Sequence, residues 1–188
     1  QLDDLQGGEI VGIEALMSDI VVFMTKGIFR INVPNSNPTA WSLVEAHPDI
    51  GCLHDRAIAK APNGIFFCSR SAIYFIDSGF SVVSITDSIK DAYLSKSAST
   101  NEQKFNLRYD AKYNRLFFSW FPTTSSVMYV YDLKRQVWVM NLYGGNTSGI
   151  KHMATNHNND MIFVDRGSNS YLQYAEGSNY NDANGSGY

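Results

Sequence analysis

Hydrophobic and polar positions in this chain alternate in short bursts, not in helical stripes. Four apolar runs stand out: Ile20-Val21-Val22-Phe23, Ile65-Phe66-Phe67-Cys68, Leu116-Phe117-Phe118-Ser119 and Met161-Ile162-Phe163-Val164, whose starts lie 45, 51 and 45 residues apart. Turn chemistry precedes each of them, as Ser18-Asp19, Pro62-Asn63-Gly64, Tyr113-Asn114-Arg115 and Asn158-Asn159-Asp160. A second strand pattern follows each run after another turn: Ile28-Phe29-Arg30-Ile31, Ile73-Tyr74-Phe75-Ile76, Met128-Tyr129-Val130-Tyr131 and Tyr171-Leu172-Gln173-Tyr174.

One more strand pattern lies ahead of each run, over residues 10–16, 57–61, 105–109 and 150–155. The first three units add a fourth, over residues 41–44, 80–83 and 137–140. Four antiparallel strands in about 45 residues is the size of one propeller blade. A central blade strand is covered on both faces, which explains why the second strand of each unit is apolar throughout. A β-sandwich also gives short strands at regular intervals, but not the same four-strand unit recurring at a fixed period. The pattern therefore predicts an all-β, propeller-like array of about four four-stranded antiparallel blades over residues 1–176, part of a larger propeller.

Residues 177–188 have the composition of a polar linker or tail. The fourth unit lacks its last strand; residues 2–5 could supply it, or further blades could follow, and the second is expected because the chain begins at Gln1, not Met. The one long spacing has a local cause. Residues 87–94 read as a short helix between the second and third blades, capped by Asp87 or Ser88, with Ile85, Ile89, Ala92 and Tyr93 on one face.

Composition narrows the function classes. Apolar residues make up 44% and charged residues only 18%, which suits a packed β domain. No apolar run approaches the roughly 18 residues of a membrane span. A net charge of −3 disfavours general nucleic-acid affinity. Two cysteines, Cys52 and Cys68, cannot build a disulfide framework and are expected to be reduced.

Several of these segments resemble a known family. Gly8-Glu9-Ile10-Val11-Gly12-Ile13, followed by Ile20-Val21-Val22-Phe23-Met24-Thr25-Lys26-Gly27-Ile28-Phe29-Arg30-Ile31, is similar to a pattern of bacteriophage tail proteins. In that family a "GD-I-x-x-I" strand leads to "L-x-V-F-T-x-x-G-I-Y-x-L". Ile50-Gly51-Cys52-Leu53-His54-Asp55-Arg56-Ala57-Ile58, Asn63-Gly64-Ile65-Phe66-Phe67-Cys68-Ser69-Arg70-Ser71-Ala72-Ile73-Tyr74, then Ser84 and Ile89, continue the likeness. Tyr131-Asp132, Trp138 and Asp165-Arg166-Gly167 also fit, whereas Ala72 stands where the family usually has Gly. The chain thus resembles the β-propeller of a short-tailed phage's tail nozzle, or tail stabilisation protein, and is shorter than those proteins. The resemblance implies a virion tail component assembled in the host cytoplasm. Its partners would be copies of itself in a ring and neighbouring tail proteins, with DNA passing through without sequence-specific binding and no membrane contact. It brings no catalytic residues.

Individual motifs add little chemistry. Tyr131-Asp132 and Trp138 also match half of a kelch repeat, but Ser119-Trp120-Phe121 stands where kelch blades carry Gly-Gly, so a turn over Asp132 to Gln136 with Trp138 packed between blades is the reading. Asp77-Ser78-Gly79 resembles the Asp-box turn of sialidases and reads as a hairpin. His152, His157 and Asp160 lack the spacing of a zinc site. The loop at residues 156–160 lacks the alternation and Gly of a calcium loop. Asn146-Thr147-Ser148 and Asn184-Gly185-Ser186 match the glycosylation pattern. Lys90, Lys96, Lys104, Arg108, Lys112 and Arg115 give one stretch a positive bias, diluted by Asp91, Glu102 and Asp110.

No catalytic, cofactor or metal residues are expected. The expected subunit interface is the inserted helix, through Ile89, Tyr93, Lys90 and Lys96, because a short helix is unstable unless its apolar face is covered. The alternatives are a kelch- or WD-type scaffold gripping a protein partner, and a glycan-active propeller enzyme.

Overall fold

A computed structural model describes residues 7–97, 105–120, 127–142, 150–156, 158–165 and 172–174. The chain divides into two compact units, Gln1–Gln103 and Lys104–Tyr188. The first holds two four-stranded sheets: β1 (Ile10–Leu16), β2 (Asp19–Met24), β3 (Ile28–Asn32) and β4 (Ser42–His47), then β5 (Ile58–Ala61), β6 (Gly64–Cys68), β7 (Ile73–Asp77) and β8 (Val82–Ser84). The helix α1 (Lys90–Ser97) follows. In the second unit, β9 (Phe105–Asp110), β10 (Arg115–Trp120), β11 (Val127–Asp132) and β12 (Val137–Leu142) form a four-stranded sheet. There β13 (Ile150–Thr155), β14 (Met161–Asp165) and β15 (Leu172–Tyr174) form a three-stranded one.

In every sheet the strands pair antiparallel with their neighbours in sequence. Among the described residues the fold is thus all-β with one short α-helix, built from four consecutive meanders, and the four apolar runs are the second strands. The expected tail at residues 177–188 and both glycosylation triplets lie outside the described residues.

Second strands are the best covered. All five residues of β6 are buried. The last strands are the least: Leu43, Val44, Val83, Val137 and Val139 are exposed. Strand alternation sends successive side chains to opposite faces. In the first unit Phe23 of β2 therefore meets Phe67 of β6, ring centroids 5.2 Å apart, while Val22 joins Met24 and Phe29 on the other face. In the second unit Phe117 of β10 meets Phe163 of β14 at 5.7 Å, within a cluster containing Met128, Met153 and Met161.

The expectation that a second strand is covered on both faces holds for Val22, Phe66 and Phe117, which are buried, but not fully for Ile162, which is half-buried. Met161 and Phe163 share the face that meets β10, and Ile162 points the opposite way.

Charged side chains close several turns. Asp19, 5% exposed, accepts hydrogen bonds from Arg30 Nε (2.8 Å), Asn32 Nδ2 (3.1 Å) and the Val33 amide (3.1 Å). Asp77 accepts from the Gly79 and Ser81 amides, so Asp77-Ser78-Gly79 is a hairpin turn. Asp132 accepts from the Lys134 and Arg135 amides, and these bonds hold its carboxyl below its ordinary pKa. Trp138 packs on Tyr131 and Phe118 of its own sheet.

The helix begins later than the sequence pattern indicated. Residues Asp87–Ile89 form a 3₁₀ turn, and the preceding cap position is Thr86, whose side chain makes no capping bond. Thr86 is instead 1% exposed and spent on β7: its hydroxyl accepts from the Ile73 amide at 2.7 Å and donates to the Ile73 carbonyl at 3.1 Å. With the cap engaged elsewhere, the regular α turns start at Lys90.

Candidate functional site: a cleft in the first unit

Two turns and one connector enclose a cleft of about 970 Å³ in the first unit. The first turn joins β2 to β3 and presents Thr25 and Lys26. It is fixed from both sides, by the Thr25 amide donating to the Glu9 carbonyl (2.9 Å) and the Lys26 amide to that of Gly7 (2.8 Å). The connector leaves β4 through Pro48 and Asp49 and crosses to β5. Its Cys52 amide donates to the Met24 carbonyl (2.8 Å), and its Leu53 amide to the Cys68 carbonyl (3.0 Å), tying the ends of β2 and β6 together. Gly51 makes that passage possible. A Cβ there would lie 2.1 Å from the Thr25 carbonyl oxygen, so no other residue fits without moving backbone.

The second turn joins β6 to β7 and presents Arg70 and Ser71. It is closed by the Ser69 amide donating to the Ala72 carbonyl (2.8 Å). The walls carry both signs of charge: Lys26 and Arg70 from the turns, Glu45 and Asp49 from β4 and the connector. Phe29 and Cys52 contribute apolar surface. Hydroxyls, two cations and two carboxylates around an apolar floor suit recognition of a polar ligand or segment.

The thiols offer no nucleophile near neutral pH. Burial pushes the Cys52 pKa up to about 12 and that of Cys68 well above the ordinary 9.0. Thiolates do the chemistry of cysteine, and these stay protonated. Neither cysteine is in a disulfide. The Tyr93 hydroxyl is also pushed well up, first by burial and then by the neighbouring Cys68.

The residues expected at a subunit interface are dispersed. Tyr93 is 1% exposed, and its hydroxyl donates to the Ser69 carbonyl within its own unit. Its ring is therefore covered inside the first unit. Ile89 is half-buried and Lys90 exposed, while the Lys96 side chain lies outside the described residues. The basic stretch is partly spent inside the second unit. Arg108 Nε donates to the Met153 carbonyl (3.0 Å), Lys112 Nζ pairs with Asp160 at 2.6 Å, and the Arg115 guanidinium sits over the Tyr113 ring. Lys104 and His157 lie outside the described residues, and His152 is exposed on β13. Among the described residues no three His, Cys, Asp or Glu side chains converge as metal ligands. No described helix is long and apolar enough to cross a membrane.

The cleft itself was not visible in the sequence. Its walls come from three segments more than 15 residues apart, none carrying a motif. The one local signal is Gly51, in a connector between strand patterns where the backbone passes too close to another chain segment for a side chain.

No family model matches the chain, and no curated protein matches it. Solved structures do. The extracellular domain of BT4673 from B. thetaiotaomicron matches in two structures. One has a TM-score of 0.57 at 11% identity over 87% of this chain, the other 0.59 at 10% over 90%. The extracellular domain of the hybrid two-component system BT3049 from the same organism matches with a TM-score of 0.53, 13% identity and 92% coverage. The likeness is one of fold. This chain spans 21–23% of the length of those chains.

Proposed function

We propose that the chain is a set of β-propeller blades that binds and scaffolds without catalysing. In this reading it forms part of the ring-shaped wall of a short-tailed phage's tail nozzle. The observation that carries the scaffold reading is the run of four consecutive meander sheets whose second strands form the core. The tail assignment rests on the sequence resemblance over Gly8 to Ile31 and Ile50 to Tyr74. A net charge of −3 suits a tube wall, because like charge keeps DNA from adhering. In a ring, the 3₁₀ turn and the start of α1 would meet a neighbouring copy through Ile89 and Lys90, since Tyr93 is turned inward. Mass photometry of the protein tests this. A ring of many copies that dissociates on Ile89→Ser with Lys90→Glu is expected, and a monomer at micromolar concentration overturns the tail reading.

The cleft favours a second reading, a propeller that grips a polar partner through one face. Solved structures similar to this chain include extracellular domains of one- and two-component systems, which is compatible with such a use. Thermal stabilisation across a panel of charged peptides and small zwitterions tests it. A true ligand loses its effect with Lys26→Glu and Arg70→Glu and keeps it with Lys134→Glu. No ligand behaving so would remove this reading.

A further inference from the structure

The segment inserted after β8 holds both ends of a single turn. At the near end, the Tyr93 hydroxyl donates its one proton to the Ser69 carbonyl. At the far end, Thr86 bonds both the amide and the carbonyl of Ile73, and the Ile85 amide adds a bond to the same carbonyl at 3.0 Å. Between the two grips stand Arg70 and Ser71, which line the cleft. Directly behind the turn lies Cys68, fully buried and within hydrogen-bonding reach of Tyr93, with Cys52 beside it.

We propose that the inserted segment is a clamp on the cleft. Thr86 and Tyr93 set the conformation of the turn from Ser69 to Ala72, so that α1 and the cleft wall open and close as one element. The physical basis is an imbalance of stabilities. An eight-residue helix is marginal by itself and is held by its tertiary bonds. Local opening of such an element costs less than unfolding the sheets beneath it. The Tyr93 bond is buried, so no water replaces it while the clamp is shut. When Tyr93 withdraws, three things follow together: the Ser69 carbonyl loses its partner, Arg70 is released from its position, and the two thiols become reachable. A ligand that needs Arg70 in its clamped position would favour the closed form, and a partner that pulls on the exposed side of α1 at Lys90 would favour the open one. The clamp stands whether or not the protein serves in a tail, because it involves only contacts inside the first unit.

The two thiols are a built-in reporter, and the whole chain is used. Ellman's reagent labels them under native conditions, and hydrogen exchange follows the Ile73 amide. Tyr93→Phe keeps the ring and removes the donated bond. It should speed thiol labelling by about three- to tenfold, the factor one net hydrogen bond is worth, with only a weak dependence on sub-denaturing urea. The same variant should speed exchange at the Ile73 amide, which Tyr93 does not touch. A merely structural loss at Ser69 would leave that amide unmoved. Thr86→Val attacks the far grip and should accelerate labelling as well, which keeps the test open if Tyr93→Phe folds poorly. Two results would overturn the clamp. One is equal labelling in wild type and both variants. The other is labelling whose urea dependence is as steep as global unfolding, which would mean the thiols are reached only when the sheets come apart.

Discussion

The two units solve one packing problem twice and agree on only half of the solution. In each, the second strand of one sheet sends an aromatic ring against an aromatic ring of the next: Phe23 on Phe67, Phe117 on Phe163. The first strands behave differently. In the first unit β1 approaches β5 through Gly12, where an added Cβ would lie 2.4 Å from the tip of Ile58. In the second unit β9 is tied to β13 by Arg108 and its hydrogen bond to the Met153 carbonyl, and their turns are tied by Lys112 with Asp160. The central contact is fixed because its rings fill a volume that nothing smaller fills. The first-strand contact sits nearer water, so close apolar approach and polar bridging both serve, and the sequences diverge there.

That comparison can be broken at its common part first. Phe67→Ala and Phe163→Ala should each cost about 3–5 kcal/mol in chemical denaturation. A loss under about 1 kcal/mol in either unit would remove the aromatic contact as the shared element. Alkaline titration separates the units next. Cys52 and Cys68 have folded pKa values raised above the ordinary 9.0, Cys52 to about 12. Their contribution to stability is therefore complete below pH 9 and drains away as the pH climbs towards 12. In the second unit the raised groups are Tyr109 and Tyr131, starting from 10.0, and Lys112, starting from 10.5, so its decline should begin about one unit later. Amide exchange resolved by unit, from pH 8 to 11, shows whether the first unit loosens first. In Cys52→Ala the gap should narrow.

The first strands come third. Gly12→Ala should cost about 1–2 kcal/mol, because the buried Ile58 tip must find another rotamer. Arg108→Met should cost about 0.5–1 kcal/mol for one partly exposed hydrogen bond. A larger loss for Arg108 than for Gly12 would reverse the assignment of tight and loose contacts. The smallest effect has the opposite sign. Met17, 78% exposed in the two-residue β1–β2 turn, sits at φ 55°, a conformation that favours glycine. Met17→Gly should stabilise the protein by about 0.5–1 kcal/mol, and a loss of stability in thermal melts would show that Met17 makes a contact worth more than its strain.

Much of the sheet architecture was legible because it is local. Period-two alternation bounded by turn residues placed β1 and β13 at their observed limits, and the apolar second strands marked the repeat. Strand ends with mixed signals slipped: β8 occupies Val82–Ser84, not residues 80–83, because Phe80 sits at φ 64° in the turn. An apolar run says that both faces are covered, not how completely each one is, so the half-burial of Ile162 was not legible in it. For the helix, amphipathic spacing put Ile89 and Tyr93 on one face but could not tell which surface would receive them. Tyr93 is committed by its hydroxyl to Ser69, 24 residues away, and no periodicity encodes a bond of that kind. The cleft was hidden for the same reason, since hydrogen bonds between the connector and two separate strand ends create it.

The meander topology carries a kinetic consequence. Every described strand pairs with one made immediately before or after it, so no described pairing waits for a distant part of the chain. Loop closure is cheap at such separations, and β proteins fold slowly chiefly where it is not. A nascent chain leaving the ribosome could complete the sheet of β1 to β4 before β5 is made, and each later sheet could likewise close before the next begins. Assembly in that order never leaves more than one growing edge in water, which limits how long an unpaired strand can recruit the wrong partner.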